Sequence, residues 1–553
     1  MQIDLTRFGT GAALFLALSW TPAATAQADT ALTARMDAVL AEHFTADAPG
    51  GVVLVAQGDR ILYERALGMA DVAANKPLTT ASQFRIGSIT KQFTAVAILQ
   101  LADQGKLKLT DEIQRYVDFP RKDHPITIEH LLTHTSGIPN FTDLPMYSPE
   151  AFAEPVSLEA EIKMFRDLPL EFKPGTKWNY SNSGYILLTA IMEKVSGRSW
   201  SDHVAEHLLR PAGMASSSAA LDDNYLAHEP GLGYQPEGES WVPALPVSLT
   251  WPRGAGSIRS TVEDLWKWNT AVQKGDLLPA QFRDQAFTSF VLANDTACGY
   301  GYGWMFQNVQ GSPTREHSGG INGATSNMIY LPKEDILVVV LVNRESADAH
   351  SLAPELAAIA LGKPYGGQEV PLTAEQARAY AGVYRSEQGV TRYITSDGDG
   401  LHAQREGGKR FRLQYLGNDR FRYVGDVINI TFQRSDGKVT GARLQTRQGD
   451  DPMTLTDEPL PTRTAIALHN ADLLPYVGEY ELAPGFTLTF RAEGDRFFLR
   501  PTGQQELEVF GSAPNEFFLT VVDATITFHP DAQGVVDRLT FRQGKEMEGK
   551  RVK

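Results

Sequence analysis

FRIGSITKQFTAVAILQL, residues 84–101, sets a serine and a lysine one helical turn apart and then runs into an apolar helix. In a helix, Ser88 and Lys91 stand at i and i+3, so their side chains are neighbours on one face. Gly87 lets the chain turn tightly into that helix. Ser88 falls at its start, where backbone N–H groups lack intrahelical partners. From Phe93 to Leu101 the helix is apolar nearly all round, which predicts burial. Burial disfavours an ammonium and lowers a lysine pKa. A neutral amine beside a hydroxyl is a base beside a nucleophile. Ser-x-x-Lys alone is a weak signal, because Ser88 fits a helix cap equally well. A second copy, Ser435 to Lys438, contains Asp436-Gly437 and reads as a hairpin turn.

Composition narrows the field. The chain has 553 residues, enough for three or four domains, with 42% hydrophobic and 21% charged content typical of globular protein. A net charge of −15, with no long basic cluster, argues against nucleic acid and polyanionic substrates. Residues 1–26 read as a signal peptide: Arg7, an apolar run from Ala12 to Trp20, then Ala24-Thr25-Ala26 at the cleavage position. The expected location is periplasmic or secreted. No cysteine follows that position, so no lipid anchor is expected there, and Cys298 is the only cysteine, so no internal disulfide forms. No other apolar stretch is long enough for a membrane span. The oligomeric state is left open.

Further motifs follow in chain order. Thr30 to Phe44 reads as a helix, and Gly51–Gln57 and Arg60–Ala66 as a hairpin about Gly58-Asp59. ITIEHLLTHTSGIPNF, residues 126–141, reads as a short helix entering a Gly/Pro loop. KWNYSNSGY, residues 177–185, reads as a loop before an apolar helix, and carries Tyr180-x-Asn182. A tyrosine hydroxyl near a lysine can relay a proton, and an asparagine amide can donate and accept. Cys298–Val309 reads as a glycine-punctuated strand, followed by TREHSGG at 314–320 and by strands at 326–331 and 336–343. Two early strands and about three late ones around a helical middle predict an α+β domain. After a Pro/Gly linker near 361–376 the chain repeats itself. Tyr380-Ala-Gly-Val-Tyr384 returns as Tyr476-Val-Gly-Glu-Tyr480, and INITF at 428–432 as ATITF at 524–528. Two copies of one small antiparallel β-barrel are expected. The expected organisation is a signal peptide at 1–26, a hydrolase domain at 27–366, and barrels at 367–460 and 461–553.

Ser88-x-x-Lys91, Tyr180-x-Asn182 and His317-Ser318-Gly319 occur in that order, at a helix start, a loop and a strand end. With them, the sequence resembles the serine β-lactamase-like hydrolases: class C β-lactamases, D-alanyl-D-alanine carboxypeptidases of the same fold, D-aminopeptidases and related esterases. The resemblance covers roughly residues 30 to 360 and includes HLLTHTSGI and GAGSIRSTVEDLWKW. The repeated β-domains resemble the lipocalin-like barrels appended to some D-aminopeptidase-like members. The resemblance implies an acyl-enzyme on Ser88, proton work shared by Lys91 and Tyr180, and Asn182 orienting Lys91 and the substrate amide. It also implies an oxyanion hole from the backbone N–H groups of Ser88 and Gly320, with His317 and Gly319 contributing to substrate binding. No cofactor is implied, and the substrate is a small molecule or peptide. Where β-lactamases and carboxypeptidases of this fold carry Lys-Thr-Gly, this chain has His317. A histidine neutral at pH 7 makes a poor carboxylate anchor, which favours D-amino-acid amides, peptides or small esters over β-lactams. Three rivals stand beside this reading. His203-Val-Ala-Glu206-His207 fits a zinc metallopeptidase pattern, without a third ligand in sight. An α/β hydrolase would need G-x-S-x-G, which is absent. A non-catalytic sensor of cell-wall fragments would share the fold but deacylate slowly.

Overall fold

The computed structural model describes residues 22–553 except 121, 145–148, 223–232, 239, 399, 462, 484 and 503. Most of the expected signal peptide, residues 1–21, therefore lies outside the described residues. Helix α1, Pro22–His43, leads into the hairpin β1, Gly51–Gln57, and β2, Arg60–Leu67. After the helical middle come β3, Met305–Val309, β4, Ser312–Ile321, β5, Ala324–Leu331, and β6, Ile336–Val342. These six form one antiparallel sheet in the order β2-β1-β6-β5-β4-β3. The expected strand at 298–304 is not one. Gly299 and Gly303 take φ of +79° and +93°, and a Cβ on Gly303 would stand 3.2 Å from the Lys91 carbonyl oxygen. The glycines bring that loop onto the Lys91 helix instead of into the sheet.

The sheet is buried on both faces. Along β6, Leu337, Val339 and Leu341 pack into one core and Val338, Val340 and Val342 into another, as the two-residue period of a strand requires. Helices α2, Thr90–Asp103, α4, Asn182–Ser196, and α5, Val262–Lys274, contribute to the first core; between α2 and α4 in sequence lies the short α3, Ile128–Leu132. Helices α1 and α6, Asp348–Ala360, cover the opposite face. The catalytic candidates all sit on the first side.

Beyond α6 the chain closes two eight-stranded antiparallel barrels, spanning Gly382–Leu455 and Gly478–Arg551. The sequence repeat persists at atomic detail. The Tyr384 hydroxyl donates to the Tyr380 carbonyl at 2.8 Å, and that of Tyr480 to the Tyr476 carbonyl at 3.2 Å. The Tyr380 hydroxyl reaches Asp419, and that of Tyr476 reaches Asn515, both acceptors in left-handed backbone. Tyr384, Phe421 and Phe432 fill the first interior, and Tyr480, Phe490 and Phe528 the second, as expected where eight strands leave room only for side chains. Ser435–Lys438 closes a hairpin through Asp436 and Gly437, both at positive φ.

The first barrel grips the edge of the large sheet. Asn308 of β3 donates its backbone N–H to the Arg447 carbonyl at 2.8 Å, and the Arg447 guanidinium pairs with Glu316 of β4. Glu316 also accepts from the Thr314 hydroxyl at 2.7 Å. Both members of the pair are nearly closed to solvent. Arg447→Ala would strand a buried carboxylate, a loss of about 3 kcal/mol or more. Thermal melting should show a clear drop that the double variant Glu316→Leu/Arg447→Leu largely restores; an unchanged midpoint in the single variant would refute the assignment.

Candidate active site

The turn carrying Ser88 is fastened from three sides. Phe84–Arg85 pairs with Arg259–Ser260, the Ser326 hydroxyl donates to the Ile86 carbonyl at 2.8 Å, and the Ile258 N–H donates to Thr90 Oγ1 at 3.1 Å. Gly87 takes φ of +51°, and a Cβ there would meet the Gly320 nitrogen at 2.8 Å. Conversely, a Cβ on Gly319 would lie 2.1 Å from the Ile86 oxygen. Strand β4 and the serine turn therefore touch backbone to backbone, which only glycine permits. Ser88 sits in a 3-10 turn, Gly87–Ile89, and neither that turn nor α2 is capped by a side chain. The Ser88 hydroxyl is thus not spent as a helix cap.

Lys91 is wholly buried. Its Nζ reaches Ser88 Oγ at 3.0 Å, Asn182 Oδ1 at 2.8 Å and the Ala255 carbonyl at 2.8 Å. All three partners are uncharged, and burial pushes the ammonium pKa far below its ordinary value. A neutral amine has two N–H groups and one lone pair. The Asn182 and Ala255 oxygens can only accept, so they take the two N–H groups, and the lone pair is left for the one partner with a proton to give, Ser88. Ala255 lies in the short helix Arg253–Gly256. Its neighbour Gly254 allows that approach: a Cβ there would stand 2.4 Å from Thr189 Oγ1 and 2.8 Å from Thr94 Oγ1.

Tyr180 packs its ring 4.8 Å from Lys91 Nζ, with its hydroxyl in hydrogen-bonding reach of the Ser88 side chain. Burial raises its pKa, and the Ser88 contact only partly offsets this. At neutral pH it is a phenol, a proton donor rather than a resident base. Asn182 is the first residue of α4, not part of a loop as expected, and its N–H donates to Asn140 Oδ1 at 2.9 Å.

A cavity of about 430 Å³ opens over Ser88, lined also by Asn182, Gly320, Phe152, Trp251 and Glu345. Among the described residues lining it, Glu345 carries the one charged side chain. Of the expected site residues, Ser88, Asn182 and Gly320 line the cavity; Lys91 and Tyr180 lie behind Ser88, and His317 and Gly319 are also off this wall. The His317 ring is buried, its Nε2 bonded to the Tyr300 hydroxyl at 2.8 Å and its Nδ1 to the Ser318 carbonyl at 2.6 Å. With both nitrogens occupied it has no donor or acceptor free for substrate, which corrects its assignment as a binding residue. Gly319 faces the serine turn rather than the cavity and serves the close packing described above. His203 and His207 do come together, with ring centroids 4.5 Å apart across a π-turn, but among the described residues no group of three metal-ligating side chains forms. Sequence reasoning missed Ala255, Tyr300 and Glu345. The first acts through its backbone and so has no side-chain signal, and the others are brought in by the fold.

Residues 29–361 match the Beta-lactamase family and residues 462–551 a Domain of unknown function (DUF3471). The chain is 31% identical to Penicillin-binding protein 4* of Bacillus subtilis, over 69% of this chain and 89% of that protein. It is 28% identical to a D-aminopeptidase of Cereibacter sphaeroides, over 75% and 76%. Among solved structures it resembles an octameric penicillin-binding protein homologue from Pyrococcus abyssi, with a TM-score of 0.55 at 26% identity, covering 76% of this chain and 99% of that one. The fold is that of the serine hydrolases of the β-lactamase type. The chain belongs to the β-lactamase family, whose members include penicillin-binding proteins and D-aminopeptidases.

Burial pushes the His317 pKa down from its ordinary value to about 3, with Lys91 adding to the shift. A group held below its unfolded pKa stabilises the fold fully above the unfolded value, and that contribution fades as pH falls through the interval. The melting temperature should therefore decline from about pH 6.5 toward pH 3. His317→Gln should flatten part of that decline; an unaltered pH profile of melting would show that His317 is not buried neutral.

Proposed function

We propose that the protein is an exported serine hydrolase that opens an amide, peptide or small ester through an acyl-enzyme on Ser88, favouring substrates with a free ammonium, D-amino-acid amides and peptides foremost. The observation that carries the reading is Lys91: a buried amine whose only proton-donating partner among the described residues is the Ser88 hydroxyl. In this reading Ser88 Oγ bonds to the carbonyl carbon while its proton passes to Lys91. The backbone N–H groups of Ser88 and Gly320 receive the oxyanion. Tyr180 gives a proton to the departing amine, and water then releases the acyl group by the reverse path.

The cavity supports the substrate class. Among its described lining residues there is no lysine or arginine, and Glu345, whose carboxylate accepts from the Gly323 N–H at 2.7 Å, lines the same space as Ser88. Such a wall attracts an ammonium and repels a carboxylate. The D-aminopeptidase relative points the same way, while the penicillin-binding relative keeps a slow acyl-enzyme in view. Export rests on the signal-peptide pattern of residues 1–26.

Turnover should be compared on D-alanine p-nitroanilide, its N-acetyl form, p-nitrophenyl acetate and a chromogenic cephalosporin. Ser88→Ala should abolish turnover. Lys91→Arg, which cannot surrender its proton, should lose roughly 10²- to 10⁴-fold. The free-amine anilide should beat the acetylated one by about tenfold or more, and Glu345→Gln should erase most of that gap. Preference for the cephalosporin would overturn the substrate class, and a long-lived cephalosporin adduct without turnover would make the protein a penicillin-binding sensor.

A further inference from the structure

His134, in the HLLTHTSGI stretch, takes no part in the mechanism above, yet its backbone and ring are both held in place. It follows α3 with φ of +58°, in the left-handed region, a position after a helix ordinarily given to glycine. Its side chain is 1% exposed. From there it brackets Tyr180. The Asn179 N–H donates to the His134 carbonyl at 3.0 Å, and the Ser181 N–H donates to His134 Nδ1 at 3.1 Å. The residues on both sides of the tyrosine are thus tied to one histidine. The ring itself packs against the Tyr180 ring, centroids 4.4 Å apart.

Accepting at Nδ1 leaves the ring proton on Nε2, which has no hydrogen-bond partner among the described residues. The ring meets Tyr300 edge-on at 4.6 Å and Tyr185 at 5.2 Å. An unpaired buried N–H and a left-handed backbone are both unfavourable, and they persist only where the surroundings over-determine them. What this arrangement secures is the placement of one phenol over Lys91.

We infer that His134 is a positioning residue for Tyr180, holding the phenol where it can protonate an amine leaving group. The inference rests on the reading of Tyr180 as proton donor. Burial keeps the imidazole neutral, so Nδ1 stays an acceptor across the working range. His134 thereby acts through Tyr180 and touches no reacting atom.

The test exploits the leaving group. A p-nitroanilide must be protonated as it departs, whereas p-nitrophenolate leaves unaided, so loss of the placed phenol should harm the anilide selectively. His134→Ala should lower kcat on D-alanine p-nitroanilide by about 10²-fold with KM within a few-fold, and leave nearly unchanged the rate of the pre-steady-state p-nitrophenolate burst from p-nitrophenyl acetate, which reports acylation alone. His134→Asn keeps an acceptor near the Nδ1 position and tolerates left-handed backbone, so it should recover most of the anilide rate. Tyr180→Phe is the control: it should show the same selective loss. Equal loss on both substrates in His134→Ala, or no rescue by His134→Asn, would overturn the inference. An unchanged anilide-to-ester ratio in Tyr180→Phe would instead refute the reading of Tyr180 itself.

Discussion

Burying Lys91 without a counter-charge is the constraint on which the rest of the site depends. Two effects favour the charged form: three oxygen acceptors, and the faces of Tyr180 and Tyr185 at 4.8 and 5.4 Å. Cation–π contacts of this kind are worth about 1–2 kcal/mol each when desolvated. Removing an ammonium from water costs several kcal/mol even after relaxation, and among the described residues no carboxylate offsets it. Desolvation wins, and the amine is neutral. The neighbouring titratable groups follow the same logic. His134 and His317 are held neutral by burial, and Tyr180 is held as a phenol. The groups packed around the Ser88 hydroxyl are thus uncharged at rest, and the charge of the cavity wall stands apart from them on Glu345.

Such a site needs walls that approach within van der Waals distance, and glycines supply them. Gly87 and Gly319 let the serine turn and β4 meet through their backbones, and Gly254 lets the Arg253–Gly256 turn settle on α2 and α4 so that the Ala255 carbonyl reaches Lys91. The nucleophile comes from the helical half of the domain and Gly320 from the sheet half. Any side chain at these contacts would separate the halves by an ångström or more, enough to lose a near-attack geometry.

What was legible in the sequence follows from range. Ser88 and Lys91 lie within one helical turn, so their contact could be read from spacing alone. The α+β architecture and the doubled barrel were legible because periodicity and repetition are written along the chain. The fate of His317 was not. Its occupancy is decided by Tyr300, 17 residues away across a loop whose path is set by Gly299 and Gly303. The same motif that places a histidine beside the serine in sequence order thus places its ring behind the wall. Glu345 was equally silent, since an acid after a buried strand looks like any surface residue until the cavity above it is drawn.

The barrels illustrate a different limit. A resemblance to lipocalin-like domains suggests a ligand cavity, but both interiors are filled by their own aromatic side chains. Their connection to the hydrolase domain therefore runs through surfaces rather than through a bound molecule. The clearest surface is the Arg447 turn, which grips β3 through Asn308 and β4 through Glu316. Successive residues of a strand face opposite ways, so Glu316 meets the barrel from one side of the sheet while His317 backs the active site from the other. One strand carries both contacts, and the charge at the barrel interface is satisfied on the face that the neutral site does not share.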